Sequence, residues 1–220
     1  AIAFGQTPQF NKVAISGIRD VSAVDFAYAK QLGFRIKLVG TAEPGRMPRM
    51  QTCLLPMSTQ LAKVDGVLNA VEFDADPVGS VVLTGPGAGS GATSSAVLSD
   101  LVDLACDRIP FTFGRPVATL ADGSAVENGG GPDTPFYVRL MVVDKPGVLA
   151  DITSVLQIHD ISVESMLQQG RAPQDTVALV LATHEVGVER LMTTLSEIES
   201  LSCVMAAPVA MPILVPGQEG

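Results

Sequence analysis

The stretch from Phe136 to Met211 constrains the fold more than any other part of the chain. Phe136–Val143 (FYVRLMVV) alternates as a strand, and Asp144-Lys145-Pro146-Gly147 is a turn. Val148–Ile158 has helical spacing through Val148, Ile152, Val155 and Leu156. A second strand over Ile161–Leu167 follows, then a polar loop at Gln168–Asp175 and a third strand over Val177–Ala182. An amphipathic helix over Val186–Ile198 and a fourth strand over Leu201–Met211 complete the order βαββαβ. Such a unit closes on itself within about 75 residues. Its two helices cover one face of a four-stranded sheet. The other face and the edges then need a partner, so self-association is expected.

Upstream, strands and helices alternate more loosely. Residues 1–15 suit the tail of a helix followed by a strand around Asn11–Ile15. Ser22 is a good N-cap with Asp25 as its capping-box partner, Val24, Ala27, Tyr28 and Leu32 recur at helical spacing, and Gly33 stands where a C-cap belongs. Strands are predicted over 34–42, 50–56, 67–73 and 80–84, and a helix from about Thr93 to Arg108. Asp74 and Asp76 lie beside Pro77 and Gly79 and read as a hairpin turn. The pattern predicts an α+β fold of α/β layers, with a mixed sheet and helices in this first part. Pro, Gly, Asp, Asn and Thr then dominate up to Pro135, with one short strand predicted near Val117–Leu120. The expected domains are 1–115, a linker over 116–134, a second domain over 135–212 and a tail over 213–220.

Composition excludes several classes of function. With 47% hydrophobic residues the chain can bury real cores, and a formal charge of −9 argues against nucleic-acid binding. The charge is uneven: ten basic and ten acidic residues up to Arg115, four basic and thirteen acidic after it. That asymmetry suits two domains with different tasks. No apolar run approaches the roughly 20 residues that span a bilayer, so no membrane partner is expected. Cys53, Cys106 and Cys203 are odd in number and widely spaced, a pattern that suits a reducing cytoplasm better than disulfides or a metal site. The opening Ala1-Ile2-Ala3-Phe4-Gly5 reads as the middle of a helix, so a fragment is expected.

Two turns are candidate sites. Gly85-Pro86-Gly87-Ala88-Gly89-Ser90-Gly91 stands between a strand and a helix start, where bare amides and the helix dipole can meet a ligand. It fits neither G-x-G-x-x-G nor a P-loop, and a structural turn and a ligand contact account for it equally. Asp144-Lys145-Pro146-Gly147-Val148-Leu149 opens the βαββαβ unit. Alone it is a plain strand-to-helix turn; within that frame, amides facing a small polar ligand are the better reading. His159 and His184 are isolated, no flanked Ser or Cys nucleophile is evident, and Lys37 reads as solvent-facing or paired with an acid.

Three stretches resemble the substrate-domain segments of bacterial homoserine dehydrogenase: Gly17-Ile18-Arg19-Asp20-Val21 through Leu32-Gly33-Phe34-Arg35-Ile36-Lys37-Leu38; Val67-Leu68-Asn69-Ala70-Val71; and Gly85–Gly89 through Thr93–Val97 to Asp100. Residues 136–211 resemble an ACT domain, which is ferredoxin-like. Ser16 departs from the family, which usually has Glu there. The resemblance implies an oxidoreductase that interconverts aspartate semialdehyde and homoserine with NADP or NAD, in threonine, methionine and isoleucine biosynthesis. It places the dinucleotide-binding half and the catalytic Lys and acidic residues upstream of Ala1, so no catalytic residue is expected here and no tight cofactor binding. It carries over Gly87 and Gly89 as cofactor contacts. It further implies feedback control by threonine, bound between two ACT domains of a homo-oligomer through Asp144, Gly147, Val148, Leu149, Ile161 and Ser162. The competing reading is a free-standing amino-acid-sensing or dimerisation module without catalytic activity.

Overall fold

The computed structural model describes residues 1–44, 46–122, 132–168 and 175–215. They divide into two compact units that cut across chain order. One comprises Ala1–Val13, Ala42–Met47 and Lys63–Glu127; the other comprises Ala14–Thr41, Pro48–Ala62 and Asn128–Gly220.

The second unit begins with β1 (Ala14–Ile15), α1 (Ala23–Gln31), β2 (Phe34–Thr41) and β3 (Arg49–Pro56). β3 is the middle strand, parallel to β1 and antiparallel to β2. The expected strand at Asn11–Ile15 is shorter, because Phe10–Lys12 coil into a 3-10 turn closed by the Val13 N–H on the Phe10 carbonyl. At the start of α1 the Asp25 carboxylate turns back to accept the Ser22 backbone N–H at 2.7 Å, as the capping pattern predicts.

In the first unit, β4 (Leu68–Ala75) and β5 (Gly79–Pro86) form an antiparallel hairpin turned at Asp76–Val78. α2 (Ser90–Ala105) follows, starting three residues before the expected Thr93 because Gly89 is its N-cap. The opening residues form one turn, the Gly5 N–H bonding the Ala1 carbonyl at 2.8 Å, and no helix. The strand expected near Val117–Leu120 is a 3-10 turn over Val117–Thr119. Both the backbone N–H and the hydroxyl of Thr119 bond the Pro116 carbonyl, at 2.9 and 2.7 Å, so a local turn takes the place of a ladder.

The second unit resumes with β6 (Phe136–Val143), α3 (Val148–Ile158), β7 (Val163–Gln168), β8 (Thr176–Thr183), α4 (Val188–Glu199) and β9 (Val204–Pro212). The βαββαβ order is the one expected. β6 and α3 have the limits read from the sequence, and β9 starts later because Leu201–Val204 is a turn. The sheet order is β7-β8-β6-β9, antiparallel throughout.

Period two along the strands builds two cores. Phe136, Val138, Leu140 and Val142 of β6 and Val177, Leu179 and Leu181 of β8 pack with Ile152, Leu156, Leu191 and Ile198 of α3 and α4. Tyr137, Val180 and Ala182 point the other way, and Tyr28 and Ala29 of α1 and Leu54 of β3 cover them, together with Met211 and Ile213. The free face that called for a partner molecule is therefore covered from within the same chain. Continuing past β9, the Leu214 N–H bonds the Leu54 carbonyl at 2.9 Å.

Candidate functional site

The turn that opens α3 is shaped by Gly147, at φ +96° and ψ −24°. A side chain is strained in that conformation, so glycine lets β6 swing directly into a helix start. The Asp144 N–H is tied to the Asp175 carbonyl at 2.9 Å, and the Asp151 N–H to the Gly147 carbonyl at 3.0 Å. Asp144 is half-buried, Gly147 and Leu149 are exposed, and Val148 belongs to the core. Ile161 is a core residue as well, whereas Ser162 is exposed with its carbonyl accepting the His184 N–H at 3.0 Å.

The six residues form two groups within one chain. Val143, next to Asp144, lies opposite Thr176; Val163, next to Ser162, lies opposite Thr183. Those are the two ends of an eight-residue strand, which at about 3.4 Å per residue sets the groups roughly 25 Å apart. Asp144–Leu149 come together at one end of the sheet, Ile161 and Ser162 at the other.

At the glycine-rich turn a Cβ on Gly87 would meet the amide end of the exposed Asn69 side chain, which is free to rotate aside. Gly89, at φ +119°, faces open space and leaves the first turn of α2 accessible. The hydroxyl of Ser94 turns inward onto the Ser90 carbonyl.

A third place escaped sequence reasoning. Asp25, 0% exposed, accepts hydrogen bonds from four donors. Its Oδ2 takes the Ser22 N–H and hydroxyl at 2.7 and 3.0 Å; its Oδ1 takes the Tyr137 hydroxyl and the Arg139 Nε–H, both at 2.8 Å. The second arm of Arg139 donates to the Asp20 carbonyl at 3.0 Å. Burial and the adjoining Asp25 carboxylate push the Tyr137 phenol far above its ordinary range. Next to this cluster Val21 lines a shallow pocket of about 120 Å³, together with Ile18, Phe26, Lys37 and Thr52. Asp25 was legible as a cap; the available signal for the rest was an Arg at an odd position of an otherwise apolar strand.

Residues 1–102 match the family model of homoserine dehydrogenase, and residues 136–203 that of the ACT domain. The two segments are thus similar to homoserine dehydrogenase and to the ACT domain, respectively. Homoserine dehydrogenase of Neisseria gonorrhoeae is 34% identical over 221 residues, taking in 96% of this chain and 50% of that protein. That of Pseudomonas aeruginosa is 34% identical over 97% of the chain and 51% of its own length. The crystal structure of homoserine dehydrogenase from Thiobacillus denitrificans superposes with a TM-score of 0.82 at 35% identity, over 98% of this chain and 50% of that one. That from Staphylococcus aureus gives 0.61 at 27%, over 99% and 50%. The chain spans about half the length of the curated relatives it matches. No helix among the described residues is long and apolar enough to cross a membrane.

Proposed function

We propose that the chain supplies part of the substrate and dimerisation domain, with the regulatory ACT domain, of an NAD(P)-dependent homoserine dehydrogenase. One observation carries this reading: a homoserine dehydrogenase segment and an ACT domain follow each other in one chain, as segments of relatives that bear that name. In such an enzyme the bound dinucleotide supplies the hydride exchanged between homoserine and aspartate semialdehyde. The contribution of this chain is positional: Gly87 and Gly89 leave backbone room for the cofactor at the turn that opens α2. The chain by itself neither oxidises homoserine nor binds the dinucleotide tightly, and turnover by the purified 220-residue protein would overturn that.

Threonine is the proposed effector, held by Asp144, Gly147, Val148 and Leu149 at the helix start, with Ile161 and Ser162 from a second copy. Backbone amides at a helix start suit the carboxylate of an amino acid, and carbonyl or carboxylate oxygens suit its ammonium group. The separation of the two groups within one chain supports a site completed across two copies of a cytoplasmic homo-oligomer. Calorimetry of the full chain with threonine, beside sedimentation to follow association, tests this. Heat of binding with a shift toward the dimer is expected; neither heat nor a change in association would refute threonine control.

A further inference from the structure

Strand β6 carries two things at once. Its end runs into the Asp144–Gly147 turn, and its first half carries Tyr137 and Arg139 on the face turned toward α1. Arg139 is 11% exposed at its side chain and Asp25 is fully enclosed, so the ion pair between them is shielded from solvent and salt. The guanidinium grips two points on the other side: the Asp25 carboxylate in the first turn of α1 and the Asp20 carbonyl just before it. Between those points lie Val21, which lines the pocket beside Lys37, and Ser22, whose N–H is itself bonded to Asp25.

We infer that Arg139 is a positioning residue that couples the effector turn to the pocket wall: β6 moves as one piece, and its two-armed guanidinium carries a displacement at Asp144–Gly147 to Asp20–Ser22. From Arg139 to Asp144 the chain spans roughly 17 Å; β6 is irregular against β9 between Arg139 and Val142, and its unbroken ladder with β8 from Tyr137 to Val143 is what lets it shift as a unit. Tyr137 holds the same carboxylate oxygen and prevents it from swinging away when the guanidinium shifts. The coupling rests on the reading of Asp144–Leu149 as an effector site; the tether that carries it does not.

Amide hydrogen exchange on the full 220-residue chain separates the two, comparing wild type, R139K and R139Q, with and without threonine as the probe. Without the probe, R139Q is expected to speed exchange at Asp20–Asp25 by about tenfold, while Leu179–Leu181 keep their wild-type rates. R139K retains the charge without the fork and is expected to fall between. With threonine, wild type gains protection at Asp144–Leu149 and at Asp20–Asp25, whereas R139Q gains it only at the first. Protection confined to Asp144–Leu149 in wild type overturns the coupling and leaves the effector site standing. If threonine protects neither place, the effector reading fails and the coupling with it, and the probe-free comparison decides the tether alone. Unchanged exchange in R139Q, or exchange that rises uniformly through β8, overturns the tether. Should R139Q fail to fold, Y137F removes a single donor to Asp25 and is expected to give the same local pattern at about threefold.

Discussion

Asp25 illustrates how much one carboxylate can organise. It caps its own helix through Ser22 and closes a contact with residues more than a hundred positions away, Tyr137 and Arg139. Removing one member of a buried pair leaves the other charged and desolvated. D25N is therefore expected to cost about 3–5 kcal/mol, read as a lowered urea midpoint. Because the members act as a unit, the D25N/R139M double variant should be less damaged than the two single losses together. Two further residues set the alkaline limit. Burial pushes the Cys53 thiol from 9.0 up to about 12, and the Tyr137 phenol is raised as well. Both hold their proton in the folded chain beyond the point where the unfolded chain releases it, so their contribution to stability is fully present below about pH 9 and is lost as pH rises through the folded values. Thermal melts from pH 8 to 11 should show this decline, and C53A should flatten the part that begins near pH 9. At pH 8 iodoacetamide should modify the exposed Cys106 and spare Cys53.

Among the elements, those with strong internal punctuation were legible. The limits of β6 and α3 could be read because alternation stops at Asp144 and Pro-Gly marks the helix start. The candidate effector turn was visible for the same reason. G147A should lower stability by about 1–3 kcal/mol, the expected strain of a side chain at positive φ, measurable by chemical denaturation. Where the signal was composition alone it failed. Val117–Leu120 looks extended, yet among the described residues nothing pairs with it in a ladder, and the Pro116 carbonyl captures Thr119 instead. The role of Arg139 was hidden on different grounds. A strand pattern tells which side a residue faces but not what it meets there, and Arg139 meets a helix that lies far away in sequence.

At the scale of the molecule, the ACT sheet is covered twice: by its own helices, and by α1 and β3 from the homoserine dehydrogenase segment. This second cover was not legible, because an open face announces only that something must cover it. Residues 132–215 produced alone should expose Tyr137, Val180, Ala182 and Met211. Such a fragment is expected to bind a hydrophobic dye, to melt below the full chain and to associate more strongly in sedimentation. Unchanged dye binding and melting temperature would show that the cover adds nothing to the stability of the sheet.

The separation of 112 positions between Asp25 and Tyr137 also sets a schedule for synthesis. At about 5–20 residues per second, α1 leaves the ribosome roughly 6–20 s before the strand that buries it. Throughout that interval Tyr28, Ala29 and Asp25 lack the strand that buries them. A nascent chain arrested before residue 136 should therefore be a better substrate for chaperones than one arrested after residue 215.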